Sequence, residues 1–139
     1  MDEHTFIRRV GEQLACDHAR AEAVTFAVFR ELRGRLTPTE VHDVAAQLPR
    51  GLKRLWQPPD WPGEPSEKIH AREFVGRVRH FAALPDDAEA ERAVRAVFAA
   101  LQRLLGSRTG KEGEAWDIFS VLPKDLKLLW LSAGESTAP

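Results

Sequence analysis

The amino-acid sequence predicts an all-α fold of two tandem, pseudo-symmetric helical bundles, each made of three helices and a short C-terminal helix. Two observations predict this fold: a long stretch of the chain occurs twice, and apolar residues recur at helical spacing within each copy. With 139 residues, of which 43% are hydrophobic, the chain can bury the core of one medium domain or two small ones.

The internal repeat is clearest where residues 37–56 align without a gap to residues 111–130. Nearer the N-terminus, the apolar pattern of residues 21–36 recurs 69 positions later, and the pattern before it recurs 68 positions later. The spacing then grows to 74 across the loop sequence GSRTG at residues 106–110. Positions related by these spacings are matched positions, and they predict that the two copies share one helix order.

The repeat and its flanking composition divide the chain into four segments. Residues 1–57 form the first helical repeat, residues 58–69 a proline-rich linker, residues 70–131 the second repeat, and residues 132–139 a flexible tail. The linker prolines exclude a helix interior. Because a bundle of roughly 55 residues is only marginally stable alone, we expect the two repeats to pack as one unit with a cleft between them.

The first two helices of each copy follow from apolar spacing. In the first copy the pattern predicts an amphipathic helix from Glu3 to Ala15, and Asp17 then begins the second helix. The middle turns of that second helix, and of its counterpart, are apolar almost all round. Such a helix is covered on several sides, so each is predicted to be the central helix of its bundle.

The third helix of the first copy begins with TPTE at residues 37–40, which predicts a capping box with proline in the first turn. It should end at Gln47 or Leu48, because Pro49 disfavours helical geometry in the residue before it. A short helix from Arg50 to Trp56 should follow. The second copy has no threonines at the matched start, so its third helix should begin more loosely.

Three pairs of segments resemble a known family: FIRRV with FVGRV, AVFRELRGRL with AVFAALQRLL, and AAQLPRGLKRLW with FSVLPKDLKLLW. These segments resemble the bacterial domain-of-unknown-function family numbered 2267. The resemblance covers nearly the whole chain outside the tail after Trp130. It implies an all-helical, internally duplicated bacterial protein without an assigned activity, and it carries over no catalytic or binding residue.

Composition excludes several classes of protein. A formal net charge of −1 argues against a general affinity for nucleic acid or an anionic membrane. The single cysteine, Cys16, cannot form an internal disulfide. The N-terminus MDEHTF is acidic where a signal peptide is basic, and no apolar run approaches the roughly 20 residues of a membrane span. We therefore expect a cytoplasmic protein that does not span a membrane.

Three groups of side chains have the residue types of a chemical site but lack its arrangement. His42 and Asp43 are neighbours on one helix and point about 100° apart, which favours a solvated histidine. His18 and Glu22 share a helix face at metal-ligand spacing, but no third ligand accompanies them. Cys16 lies beside a carboxylate, which opposes thiolate formation. The sequence therefore predicts no catalytic residue, cofactor or metal. This favours a protein that is not an enzyme.

Other charged and glycine-rich segments have structural interpretations. The sequence GSRTGKEG at residues 106–113 has the residue types of a phosphate loop in the wrong order, which favours a flexible loop between helices. Asp17 and Glu22 lie near the start of the second helix, and Arg33 and Arg35 lie near its end. This arrangement suits the helix dipole and predicts solvated helix ends.

The remaining functional signal is a pair of basic corners and one unmatched tryptophan. Each Leu-Pro corner is followed by two matched cations and then a tryptophan, Trp56 or Trp130. The candidate partner surface consists of Arg50, Lys53, Trp61, Lys124 and Lys127. Alternatively, Trp56 and Trp130 each close their own bundle while the lysines extend outward. Trp61, in the linker, either pins the linker between the repeats or stands exposed.

These observations favour a non-catalytic helical interaction or binding module, with a protein as the expected kind of partner. The alternative is a small-ligand-binding protein or an enzyme with a site in the cleft between the repeats. A pocket lined by several polar groups would favour the alternative, whereas a filled apolar interface would favour the module. DNA binding ranks third, because the third helix and its corner carry too few basic residues.

Overall fold

The computed structural model describes residues 1–63, 66–105 and 114–136, and within these ranges the chain is all-helical, with eight helices and no strand. The helices are α1 (Glu3–Leu14), α2 (His18–Arg33), α3 (Pro38–Ala46), α4 (Arg50–Trp56), α5 (Ala71–Phe81), α6 (Asp87–Leu105), α7 (Glu114–Val121) and α8 (Lys124–Ser136). The predicted all-α class is confirmed.

Helix starts in the first half follow the capping chemistry of the sequence. Asp2 and Asp17 cap α1 and α2, each accepting a hydrogen bond from the backbone N–H three residues later. The predicted capping box is present at α3: the Glu40 N–H donates to Thr37 Oγ1 at 3.2 Å, and the Thr37 N–H donates to Glu40 Oε1 at 2.8 Å. The short helix α4 spans Arg50–Trp56 as predicted.

The first helix of each copy ends in a left-handed turn. α1 ends one residue before the predicted Ala15, because Ala15 adopts a φ of 55° and stops the helix. Its matched residue, Ala83, has a φ of 53° just after α5. In both turns the next N–H donates to the carbonyl five residues earlier, at 3.0 Å for Cys16 and 2.9 Å for Leu84.

The last helix is longer than the sequence indicated. The second repeat was expected to end at residue 131, before a flexible tail at residues 132–139, whereas α8 continues to Ser136. Burial explains the extension, since Ala133 is fully buried and Ser132 Oγ accepts a hydrogen bond from Arg95 at 2.8 Å. Residues 137–139, the 106–113 loop and the looser helix start predicted within it lie outside the described residues.

Each central helix places a phenylalanine between two other buried rings. The rings are Phe6, Phe29 and Trp56 in the first half, and Phe74, Phe98 and Trp130 in the second. The Phe29 ring centroid lies 5.8 Å from the first-helix phenylalanine and 5.4 Å from the tryptophan. For Phe98 the same two distances are 5.8 Å and 4.9 Å. These matched rings bind the first, central and last helix of each half together.

Hydrogen bonds fix the two tryptophans from the central helices. Arg33 Nη1 donates to the Trp56 carbonyl at 2.6 Å, and at the matched position Gln102 Nε2 donates to the Trp130 carbonyl at 2.9 Å. The Trp56 indole Nε1–H also donates to the Val41 carbonyl at 2.8 Å. The buried indole N–H thereby has a hydrogen-bond acceptor, and these hydrogen bonds hold α4 against both α2 and α3.

The two halves share one core. α1 packs against both α2 and α6, and α5 packs against both α6 and α2. α2 and α6 also touch each other, as do α3 and α7. The buried apolar residues form one continuous cluster through both halves. The central helices are therefore covered on several sides, as predicted, except that Phe26 on α2 remains 40% exposed.

We predict that Phe29→Ala and Phe98→Ala each lower the free energy of unfolding by about 3–5 kcal/mol, because each removes a fully buried ring and leaves a cavity. Phe26→Ala is the matched control on the same helix as Phe29, and should cost less, about 1–2 kcal/mol, because that residue is 40% exposed. Urea unfolding measures all three. Equal losses in the three variants would show that burial of these rings does not stabilise the fold.

Candidate functional site

The basic corner residues predicted from the sequence lie at the surface. Arg50, Lys53 and Lys124 are exposed, and Lys127 is half-buried. The Lys127 Nζ lies 5.5 Å from the centroid of the Phe119 ring, so part of this cation's environment comes from its own fold. The four cations are accessible to a partner, but none of them lines the pocket that contains Trp61.

The tryptophans of the two corners are core residues. Trp56 is fully buried and Trp130 is 4% exposed. Their indole rings pack on the phenylalanines of the central helices. This outcome matches the structural interpretation of the corners, in which each tryptophan closes its own half while the neighbouring cations extend outward.

The linker runs across the C-terminal end of α2. Trp61 is half-buried, and the Arg33 guanidinium carbon lies 5.6 Å from its ring centroid. The Trp61 N–H donates to the Pro58 carbonyl at 3.0 Å, and the Glu67 N–H donates to the carbonyl of Gly34, which caps α2, at 2.9 Å. The linker is therefore attached to the first half beside an unmatched tryptophan.

A pocket of about 300 Å³ opens where α2, the linker and α5 meet. Phe26 and Trp61 contribute apolar surface to its wall. Its charged lining consists of Arg30, Arg33, Arg35, Arg77, Glu31 and Asp60. Four guanidinium groups against two carboxylates leave this lining with a positive balance. We refer to it as the arginine pocket.

Glu31 is a buried carboxylate at the wall of the arginine pocket, only 3% exposed. Its Oε2 accepts a hydrogen bond from Arg30 Nη1 at 3.1 Å, and its Oε1 lies 3.6 Å from Arg77 Nη1. Burial raises the pKa of Glu31, and the positive charges of Arg77, Arg30 and Arg35 only partly oppose that rise. The ionised carboxylate therefore carries a net penalty at this position.

Arg77 connects the two halves and the linker. Its Nη2 donates to Glu73 on α5 at 2.7 Å and to Glu67 of the linker at 3.4 Å, while its Nη1 faces Glu31 on α2. The hydrogen bond to Glu73 is the main cause that raises the pKa of Arg77, with the three carboxylates acting in the same direction. This guanidinium is thus committed to contacts within the protein.

Arg35 departs from the prediction of a solvated helix end. It is 7% exposed, because the linker crosses this end of α2 and bonds to the adjacent Gly34. Burial lowers the pKa of Arg35, and the charge of Glu31 opposes that shift. Among the described residues, neither its Nε nor its Nη1 has a hydrogen-bond partner.

The internal repeat contains a signal for this site that sequence reasoning missed. At the 69-residue spacing, Glu31 and Arg35 match Ala100 and Leu104. A second cavity, of about 350 Å³, is lined by Arg9, Ala96, Ala99, Ala100 and Arg103 among others. Arg9 matches Arg77, so this cavity lies at the matched place but has alanine where the arginine pocket has its buried carboxylate.

Two exposed aromatic rings extend the pocket outward. Phe26 is 40% exposed and Phe81 is 49% exposed. The Arg30 guanidinium carbon lies 3.6 Å from the centroid of the Phe81 ring, which is stacking distance. We refer to four residues as the aromatic–arginine surface: Phe26, Arg30, Trp61 and Phe81.

The side chains that the sequence excluded as chemical sites lie in surroundings typical of structural residues. His42 is exposed, as predicted. Burial, with the neighbouring Asp17 carboxylate, raises the pKa of the Cys16 thiol and makes it a poor nucleophile at neutral pH. His18 stacks on His4 with ring centroids 5.4 Å apart. Across the part of the chain that the structure describes, no three His, Cys, Asp or Glu side chains come together as metal ligands.

The described helices do not have the features of a membrane span. α6, with 19 residues, carries acidic side chains in its first turn and Arg103 in its last. Among the helices of the described ranges, none combines the length and the apolar character needed to cross a bilayer.

Comparison with protein families gives one match. A family model described as an uncharacterized conserved protein, DUF2267, matches residues 3–129. This span contains all of α1–α7 and the whole arginine pocket. A comparison with curated proteins gave no match.

We predict that the stability of Glu31→Gln relative to wild type increases as the pH rises from about 4 to about 7. The raised pKa of Glu31 means that the folded protein holds this proton more tightly than the unfolded chain. The stabilisation from this group is therefore complete below the unfolded pKa and is lost as the pH rises through the folded pKa, whereas glutamine does not titrate. Urea unfolding across the pH range measures the difference, and a constant or falling difference would contradict the prediction.

Proposed function

The chain belongs to the DUF2267 family of uncharacterized conserved proteins, and we propose that it is a non-catalytic helical interaction module that binds a partner protein. The family description assigns no activity, so the proposal is based on the surface of this chain. The observation that carries it is the aromatic–arginine surface, where the Arg30 guanidinium stacks on the exposed Phe81 ring, while Arg30, Phe26 and Trp61 line one pocket.

We further propose that the module consists of two pseudo-symmetric halves produced by duplication. Matched geometry supports this arrangement. Asp17 Oδ1 accepts the Arg20 N–H at 2.8 Å, and the matched Asp86 Oδ1 accepts the Glu89 N–H at 2.8 Å. The left-handed turns, the ring clusters and the hydrogen bonds to the tryptophan carbonyls also occur at matched positions.

The contact between the halves supports a module over an enzyme with a central cleft. α1 packs on α6, α5 packs on α2, and the apolar residues of all four helices belong to one buried cluster. An interface filled with apolar side chains stabilises the halves as one body and favours a scaffold over a catalytic cleft.

The composition of the aromatic–arginine surface is typical of a protein-binding hot spot. Single exposed apolar residues are common on protein surfaces and need no explanation. Here, however, Phe26 and Trp61 line the arginine pocket together with Arg30, and Arg30 stacks on Phe81. Aromatic residues and arginine are the types that contribute most to binding energy at interfaces. Phe26 also interrupts the buried surface of α2, a helix that is otherwise well covered.

The charge of the neighbouring pocket indicates the chemistry of the partner. The arginine pocket has a positive balance and lies directly beside the exposed rings. A partner segment that combines carboxylates with an apolar side chain would complement both features. We propose the corner cations Arg50, Lys53, Lys124 and Lys127 as a second, outer contact region for the same acidic partner.

A library of random phage-displayed peptides, selected on the wild-type protein, tests this proposal. We expect the enriched peptides to contain acidic and apolar residues, and Phe81→Ser or Trp61→Ala to weaken their binding by about tenfold or more. Leu131→Ser is the matched control, since Leu131 is 50% exposed but lies on α8. Peptides that bind the Phe81 and Trp61 variants as tightly as wild type would place the site elsewhere.

The corner cations are tested separately with the double variant Lys53→Glu, Lys127→Glu. Isolated surface lysines contribute little to folding, and losing the Lys127 cation near the Phe119 ring costs about 0.5–1 kcal/mol, so we expect its thermal midpoint to fall by only a few degrees. Its association rate with the selected acidic peptides should fall severalfold, and the difference should shrink at high salt. An unchanged association rate would show that the corners are not part of the binding surface.

A further inference from the structure

The buried charges of the arginine pocket have no charged counterpart at the matched positions of the second half. Glu31 and Arg35 are 3% and 7% exposed, yet their matched positions are filled by Ala100 and Leu104. The second half thus shows that the same helix position accepts small or apolar side chains. Replacing buried charges with apolar residues is often neutral or stabilising, so the charges in the first half need an explanation other than folding.

Contacts within the protein account for three of the four guanidinium groups. Arg77 is bound to Glu73 and Glu67 and faces Glu31. Arg30 donates to Glu31 and stacks on Phe81. In each case the positive charge is close to a carboxylate or to an aromatic face that stabilises it.

Arg33 is engaged as well, since it donates to the Trp56 carbonyl at 2.6 Å. Arg35 is the exception. Within the described ranges its Nε and Nη1 are buried and have no hydrogen-bond partner, although burying an arginine ordinarily requires one. Glu31 is the carboxylate with the largest effect on the pKa of Arg35, followed by Glu67 and Glu73. Glu31 Oε2 accepts from Arg30, whereas its buried Oε1 faces Arg77 at 3.6 Å and has no hydrogen-bond partner among the described residues.

We propose that the arginine pocket is a binding site for a small oxyanion, a carboxylate or phosphate group, with Arg35 as its principal ligand. The pocket volume of about 300 Å³ lies at the lower end of the roughly 300 to 1,000 Å³ of ligand pockets, which suits a small anion. The guanidinium fork of arginine is well suited to the oxygens of carboxylate and phosphate. Trp61 and Phe26 form the apolar wall of the pocket. This site goes beyond the proposed partner surface, because a free anion can occupy it without any protein partner.

The matched positions supply a variant that removes the site without changing the net charge. Glu31→Ala with Arg35→Leu installs the residues found at positions 100 and 104. It should fold and be at least as stable as wild type. The control, Arg9→Leu with Glu12→Ala, makes the same charge-neutral change in the second cavity, which both residues line.

Isothermal titration with inorganic phosphate and, separately, with acetate tests the proposal, with sodium chloride holding the ionic strength constant. We expect saturable binding of at least one of these anions to wild type and to the control. Binding should be at least tenfold weaker in the Glu31→Ala, Arg35→Leu variant. The two anion titrations also show whether the site prefers phosphate or carboxylate.

NMR of the arginine side-chain Nε–H resonances tests the anion site in the wild-type protein. The proposal therefore remains testable even if the double variant fails to fold. We expect the Arg35 resonance to shift saturably with the anion while that of Arg9 does not. Equal affinity in the double variant, or arginine resonances that all respond alike, would overturn the proposal. Loss of peptide binding at the aromatic–arginine surface would not affect this result, so the two proposals can fail separately.

Discussion

The structure depends on the need to cover two central helices, α2 and α6, that are apolar around most of their circumference. No single neighbour can cover such a helix. α1 and α5 each lie against both central helices. α4 packs on α2, and α8 packs on α6. As a result the apolar residues of the two halves form one core, and the ring clusters around Phe29 and Phe98 belong to the same buried body.

The same constraint locates the part of α2 that is not covered by apolar packing. At its C-terminal end the helix meets the linker and α5 through charged groups, and Arg77 contacts α5, the linker and α2 at once. The pairs of Arg77 with the exposed Glu67 and Glu73 stabilise the fold only weakly. The buried pair Glu31 and Arg35 lies in the same region at a real desolvation penalty, which is a feature more typical of binding sites than of structural helix ends.

Comparison of the two halves separates structural from functional positions within one chain. Several positions that hold the core have the same residue in both halves, as at Phe29 and Phe98 or Trp56 and Trp130. The arginine pocket instead has charged residues where the other half has alanine and leucine. Since only the first half has these charges, the proposed anion site belongs to that half alone.

The sequence by itself determined the helical class, the α3 capping box and the bounds of α4, because these depend on local spacing and on hydrogen bonds between near neighbours. It also indicated the family. Only the tertiary structure revealed that Arg35 and Glu31 are buried and that Phe26 and Phe81 are exposed. Those properties depend on where the linker and α5 lie relative to α2, and such long-range contacts between distant parts of the chain leave no trace in local sequence pattern.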